Sequence, residues 1–214
     1  MRDLFQEQLN ELKQELTVMG ASCEEIIALA SQALTGWDAE LVQKVNTIGA
    51  QIDESERTIE TICMKLLLRQ QPVARDLRQI SAAMKMITDM ERIGDQAEDI
   101  AEIVTFLNGR TMEGVELIEE MARETIEMVT ASVDAFVKKD VELAQKVINK
   151  DDIVDDYFSR VKCGIITLIA ENHADGEFAL DLLMISKYFE RIGDHATNIA
   201  EWVIYSVTGT HKEV

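Results

Sequence analysis

Residues Glu91-Arg92-Ile93-Gly94-Asp95-Gln96-Ala97-Glu98-Asp99-Ile100-Ala101-Glu102 return nearly unchanged as Glu190-Arg191-Ile192-Gly193-Asp194-His195-Ala196-Thr197-Asn198-Ile199-Ala200-Glu201, 99 positions later in a chain of 214. A repeat of this length marks a duplicated supersecondary unit, so the chain reads as two copies of one fold. A second match sets Asp38-Ala39-Glu40-Leu41-Val42-Gln43-Lys44-Val45 against Asp140-Val141-Glu142-Leu143-Ala144-Gln145-Lys146-Val147, at an offset of 102. The offset falls by three between the two matches. Length changes belong in loops, so a shorter connection separates these elements in the second copy.

Each copy divides into three helices. Over 2–34, Phe5, Leu9, Leu12, Leu16, Met19, Cys23, Ile26, Ala30 and Ala33 alternate steps of four and three, the seam of a helix packed lengthwise on others. Thr35-Gly36-Trp37 ends it, and Asp38 caps a second helix over about 39–69, with Val45, Ile52, Ile59, Cys63 and Leu66 on one side. Gln70-Gln71-Pro72 breaks that helix. Pro72 suits the first turn of a third, which runs to about Leu107 and ends at Asn108-Gly109. In the second copy, Val115, Ile118, Ala122, Thr125, Val129, Ser132 and Phe136 make the first seam. Asp140 caps a helix to about Glu171, Asn172-His173-Ala174-Asp175-Gly176 turns the chain, and the last helix covers about 177–207. Short turns make sequence neighbours antiparallel. The expectation is an all-α fold of two tandem three-helix bundles, 1–109 and 110–214, side by side or end to end, with no strand.

Composition supports helices and excludes several functions. One proline, 5% aromatic and 47% apolar residues describe a helical chain with a core and not a disordered acidic tail. A net charge of -19 repels nucleic acid and anionic lipid. No apolar run reaches the length of a membrane span, and the start lacks the apolar core of a signal peptide, so a cytoplasmic location is expected. Cys23, Cys63 and Cys163 have neither metal-site nor disulfide spacing and read as reduced, mostly buried residues.

At about 100° per residue, Glu91, Asp95, Glu98 and Glu102 fall in one stripe roughly 60° wide, with Asp99 at its edge and Ile93, Ile100 and Val104 opposite. The second copy keeps Glu190, Asp194 and Glu201 but has Thr197 for Glu98 and Asn198 for Asp99. The second helices add acids: Asp151 and Asp155 in one copy, and Asp53 alone in the other, where Gly49 aligns with Asp151. Pairs of carboxylates four apart on adjacent antiparallel helices would make an all-oxygen cation site, suited to iron, manganese, magnesium or calcium. The plainer reading is a solvated acidic face. Two features weigh against it: the stripe is nearly without lysine partners four residues away, which costs helix stability, and it occurs twice. The sequence has no Glu-x-x-His, which a di-iron redox bundle requires, so oxidoreductase chemistry is not expected. His195 lies about 140° around the helix from Glu190 and reads as structural or exposed. Gly94 and Gly193, inside helices, imply close approach of a neighbouring helix. Arg75 and Arg78, at the start of the third helix, read as an anion site or as plain surface arginines.

Gln71-Pro72-Val73-Ala74-Arg75-Asp76-Leu77-Arg78, the two Glu-Arg-Ile-Gly-Asp blocks and Asn198-Ile199-Ala200-Glu201-Trp202-Val203-Ile204-Tyr205 resemble the PhoU family of phosphate-transport accessory proteins, over nearly the whole chain. The resemblance implies a cytoplasmic, non-enzymatic regulator of phosphate uptake and phosphate-starvation signalling. Such a protein links the high-affinity phosphate ABC transporter, through its ATPase subunit, to a sensor histidine kinase and damps the response when phosphate is plentiful. It implies a homodimer, peripheral at the inner membrane through its partners and not inserted in it. It also implies surface metal clusters of iron, zinc, manganese or magnesium, none serving catalysis. By position the ligands would be Glu91 and Asp95 with Asp53, and Glu190 and Asp194 with Asp151 and Asp155. Gly49 stands where an acid is expected, so the first site would hold fewer ions, with Asp99 compensating. The alternative is a metal-binding or metal-buffering helical protein without a specific transporter partner.

Overall fold

Helices with continuous aliphatic seams bury them by lying lengthwise against one another. The computed structural model describes residues 2–36, 38–70, 72–107, 110, 115–171 and 176–210. Among these, the helices are α1 (Arg2–Thr35), α2 (Ala39–Gln70), α3 (Ala74–Leu107), α4 (Val115–Lys138), α5 (Val141–Glu171) and α6 (Gly176–Thr208), with no strand.

Two three-helix units stand side by side. α1, α3, α6 and α4 form an inner square; α2 closes on α1 and α3, and α5 closes on α4 and α6. Register follows from cross-helix partners. His195 meets Asp89 while Tyr188 meets Asp99, so α3 and α6 are antiparallel. Lys13 reaches Val137 and Gly20 faces Val133, so α1 and α4 are antiparallel too. The two copies are therefore related by an approximate two-fold axis across the helices. One apolar cluster runs through both copies, from Leu12, Leu16, Met19 and Ile26 to Phe136 and Phe189, all essentially inaccessible to solvent.

The ends of the helices follow local rules. The Asp38 carboxylate accepts from the Glu40 N–H at 2.9 Å, and Asp140 accepts from Leu143 N–H at 3.0 Å, so both aspartates cap as their sequence positions imply. α4 ends with Lys139 at φ 57°, the Lys139 N–H on the Phe136 carbonyl and the Asp140 N–H on the Ala135 carbonyl. This is a Schellman ending that usually takes glycine. Pro72 differs from expectation: the Leu77 N–H bonds the Val73 carbonyl at 2.9 Å, which makes Val73 the N-cap and leaves Pro72 just outside α3. Trp37, Gln71, Asn108-Gly109 and residues 172–175, where other breaks were expected, lie outside the described residues. Cys23 and Cys63 are buried; Cys163 is exposed because it falls on the outer face of α5. No helix among the described residues is long and apolar enough to cross a membrane.

Two acidic grooves beside the outer helices

The acidic stripe of α3 lies opposite that helix's apolar residues, yet α2 packs along its flank. It therefore lines a groove and is not a fully solvated face. Glu91 keeps only 23% of its side-chain surface exposed and Asp95 38%. α2 brings Asp53 and Glu56 to the same groove, and electrostatic coupling links Glu91 to both. Burial first, then Asp95, raises the Glu91 carboxyl above the usual range, against Arg92. Burial, then Glu60 and Asp53, raises Glu56. Burial, then Asp95, Asp53 and Asp99, raises Glu98. Like charges in a half-buried groove cost free energy because neither water nor counter-charge fully screens them.

The relief the stripe seemed to lack is partly present. Arg92 lies 3.5 Å from Glu91 and 3.1 Å from Asp95, Arg57 lies 3.9 Å from Asp53, and Lys187 pairs with Glu190. These cations sit three or four residues away or adjacent, and the exposed arginine pairs contribute only about 0.2–1 kcal/mol each.

The second groove lies between α5 and α6. Asp151 is pushed up to about 6 by burial first, then by Asp194, Asp155 and Glu190, with the Thr197 hydroxyl pulling the other way. Asp194 is raised by burial and Glu190, against Lys187. Glu190 is 13% exposed. Thus Asp53, Glu91 and Asp95 meet in one groove, and Asp151, Asp155, Glu190 and Asp194 in the other.

Gly49 has a physical explanation that its sequence position alone does not supply. A Cβ at Gly49 would strike Glu98 Oε1. Glu98 therefore occupies, from α3, the space that Asp151 occupies from α5 in the second copy. There Thr197 replaces Glu98 and leaves room for Asp151. A carboxylate has moved across the groove, and each groove keeps one at that level. Glu98 fills the space at Gly49; Asp99 lines, with Glu98 and Glu102, a cavity beside Val42 and Asn46 of α2, and it also reaches Tyr188 of α6, whose phenol is raised by burial and by Asp99. Glu56 was missed, although its spacing from Asp53 puts both on one face. Its second-copy counterpart is Phe158, under Lys187 at 5.5 Å.

Gly94 is the close approach its position implied, whereas a Cβ at Gly193 would meet α5 only at ordinary contact distance. A Cβ on Gly94 would sit 3.2 Å from Ile52 Cδ1, and one on Gly193 3.4 Å from Asp151 Oδ1. His195 is structural: Nδ1 lies 2.9 Å from Asp89 Oδ1, which also accepts from Asn198 at 3.1 Å, stitching α6 to α3.

As all-oxygen donors, the grooves suit hard cations, and a bound cation would relieve the repulsion that raises Asp151. Among the described residues, however, no three His, Cys, Asp or Glu side chains are already arranged to hold one ion. Side-chain rotation would have to complete a site.

Comparison with known proteins places this arrangement among relatives. The chain matches the PhoU domain twice, over residues 16–104 and 118–203. It is 35% identical to the phosphate-specific transport system accessory protein PhoU homolog of Clostridium acetobutylicum, covering 100% of this chain and 98% of that one. The homolog of Pseudomonas aeruginosa is also 35% identical, covering 96% and 86%. The crystal structure of PhoU from Pseudomonas aeruginosa superposes with a TM-score of 0.91, at 35% identity, over 96% of this chain and 100% of that one. The phosphate transport system regulatory protein PhoU from Streptococcus pneumoniae superposes with a TM-score of 0.90 at 27% identity, over 98% and 100%.

Proposed function

The chain belongs to the PhoU family, and from that membership we propose that it is a non-catalytic accessory and regulatory protein of a phosphate-specific transport system. The observation that carries this reading is similarity along the entire chain to relatives named for that role. More finely, the protein docks, as a homodimer, on the transporter's ATPase subunit and on a sensor histidine kinase, and restrains the starvation response when phosphate is plentiful. The grooves around Glu91/Asp95 and Glu190/Asp194 bind divalent or trivalent cations, iron, zinc, manganese or magnesium, which neutralise a docking face that would otherwise repel acidic partner surfaces. The raised Asp151 carboxyl supports this reading, since clustered acids gain most from a cation.

The test is capture from host membranes with untagged protein, native and with Glu91→Gln, Asp95→Asn, Glu190→Gln and Asp194→Asn, alongside elemental analysis of both. Native protein retains the transporter ATPase subunit and kinase, and carries metal that the variant loses. Metal without transporter capture would favour a buffering protein. Capture and regulation unchanged in the variant would remove the grooves from the mechanism.

A further inference from the structure

The anionic charge of the chain is unevenly spread, and one pocket reverses it locally. Where the first third of α1 passes the start of α3 and the end of α4, Lys13, Arg75 and Lys139 line a cavity of about 210 Å³ together with Asp76 and Gln79. Three cations against one carboxylate leave this pocket two charges positive in a chain of net charge -19. Among the described residues none of the three forms an ion pair. Lys13 Nζ reaches only the Val137 carbonyl, at 3.4 Å, and Lys139 Nζ donates to Gln79 Oε1 at 3.0 Å.

Gln79 supplies an independent indication. Its residue is 5% exposed, and its Nε2 has no hydrogen-bond partner. Swapping the amide oxygen and nitrogen does not cure this, because an ammonium only donates and so holds Oε1 toward Lys139. A buried donor without an acceptor costs about 1–3 kcal/mol. Lys139 is itself held at φ 57°, where a non-glycine residue pays about 1–2 kcal/mol. Burial, then Lys13 and Arg75, depresses its ammonium pKa, against Asp76. Cations are crowded and a donor is unsatisfied in the same small space, and one ligand chemistry answers both.

We propose that this pocket binds a small, doubly charged oxyanion of the phosphate class, held by Lys13, Arg75 and Lys139, with the Gln79 amide as a neutral donor. The start of α3 adds the positive end of a helix dipole. The volume lies below the roughly 300–1,000 Å³ of pockets for drug-sized ligands, so it takes a phosphoryl group with a few waters and not a nucleotide. The pocket is not a relic of duplication: at the offset of 99, Ala174 stands for Arg75 and Phe178 for Gln79. Glu91 lies sixteen residues along α3, roughly 24 Å away, beyond the distance at which its groove cancels this field. The site stands on charge and geometry; only its physiological meaning, a reading of phosphate by the transport accessory, rests on the function proposed above.

The experiment is calorimetric titration of the full chain, in chelator at about 0.15 M ionic strength, with inorganic phosphate and in parallel with glycerol phosphate, for native protein, Arg75→Gln, Lys13→Gln and Glu91→Gln/Asp95→Asn. Arg75 is exposed and Lys13 makes no ion pair, so both variants fold, which thermal unfolding checks. At least one phosphate species binds native protein below about 1 mM, weakens about tenfold or more in Arg75→Gln and Lys13→Gln, and is unchanged in the groove variant. The tighter of the two names the source. No binding up to about 10 mM, or equal binding in all four proteins, overturns the site. Phosphate binding without transporter capture would overturn only the transport reading, and capture without phosphate binding only this one.

Discussion

Asp151→Asn should stabilise the protein at neutral and higher pH. In the folded chain the Asp151 carboxyl is raised from 3.8 to about 6. A shift of about two units corresponds to an upper bound of roughly 3 kcal/mol. The group is only half-buried, so solvent screening reduces this to about 1 kcal/mol. The sign follows from proton linkage: the native state holds this proton more tightly than the unfolded chain does. The associated stability is complete below pH 3.8 and is lost as pH rises through about 6. Asparagine cannot ionise and escapes the loss. Calorimetric unfolding in chelator should therefore give nearly equal midpoints near the acid end of that window and a variant midpoint about 2–4 °C higher at pH 8. On the proposed cation role, repeating the scan with manganese in place of chelator should raise the native midpoint more than the variant's, because asparagine lacks the carboxylate's charge. A variant no more stable than native protein at pH 8, or an advantage that does not change with pH, would refute the picture of crowded, half-buried acids.

Gly49→Asp alone should lower the midpoint at pH 8, because its side chain meets Glu98. Adding Glu98→Thr, which recreates the arrangement of the second groove, should recover most of the loss, with a coupling of about 0.5–3 kcal/mol in a double-mutant cycle. Gly94→Leu should destabilise by about 1–3 kcal/mol by forcing α2 away at Ile52, read in denaturant titration. Phe189→Ala, at a site with no exposed surface, should cost about 3–5 kcal/mol. Since one apolar cluster joins both copies, the Phe189→Ala protein should still unfold in a single transition by both helix and tertiary probes.

Much of this architecture was legible because periodicity reports what an element must bury. The seams of α1 and α4 appear in the core as read, from Leu9 to Ala33 and from Ile118 to Phe136. Asp38 and Asp140 cap where their spacing implied, since a cap needs only its own helix. Pro72 lies two positions before the first helical residue, because Val73 takes the N-cap place through its carbonyl, which accepts from the Leu77 N–H, and not through a side chain. Side-by-side packing was not decidable, because the same apolar stripe serves a bundle core, a bundle-to-bundle seam or a dimer face.

The candidate site divides the same way. The sequence by itself determined that Glu91, Asp95, Glu190 and Asp194 share helix faces, because helical geometry is local. Only the tertiary structure decided what stands opposite them. It half-buried the ridges under α2 and α5, put Glu98 in the space above Gly49, and sent Asp99 to Tyr188. It also gathered Lys13 from within α1, Arg75 from the start of α3 and Lys139 from just past the end of α4 around one buried amide. Charge interactions fall with distance through space and are indifferent to separation along the chain. Residues 64 positions apart, such as Arg75 and Lys139, therefore become one site only when the helices are stacked.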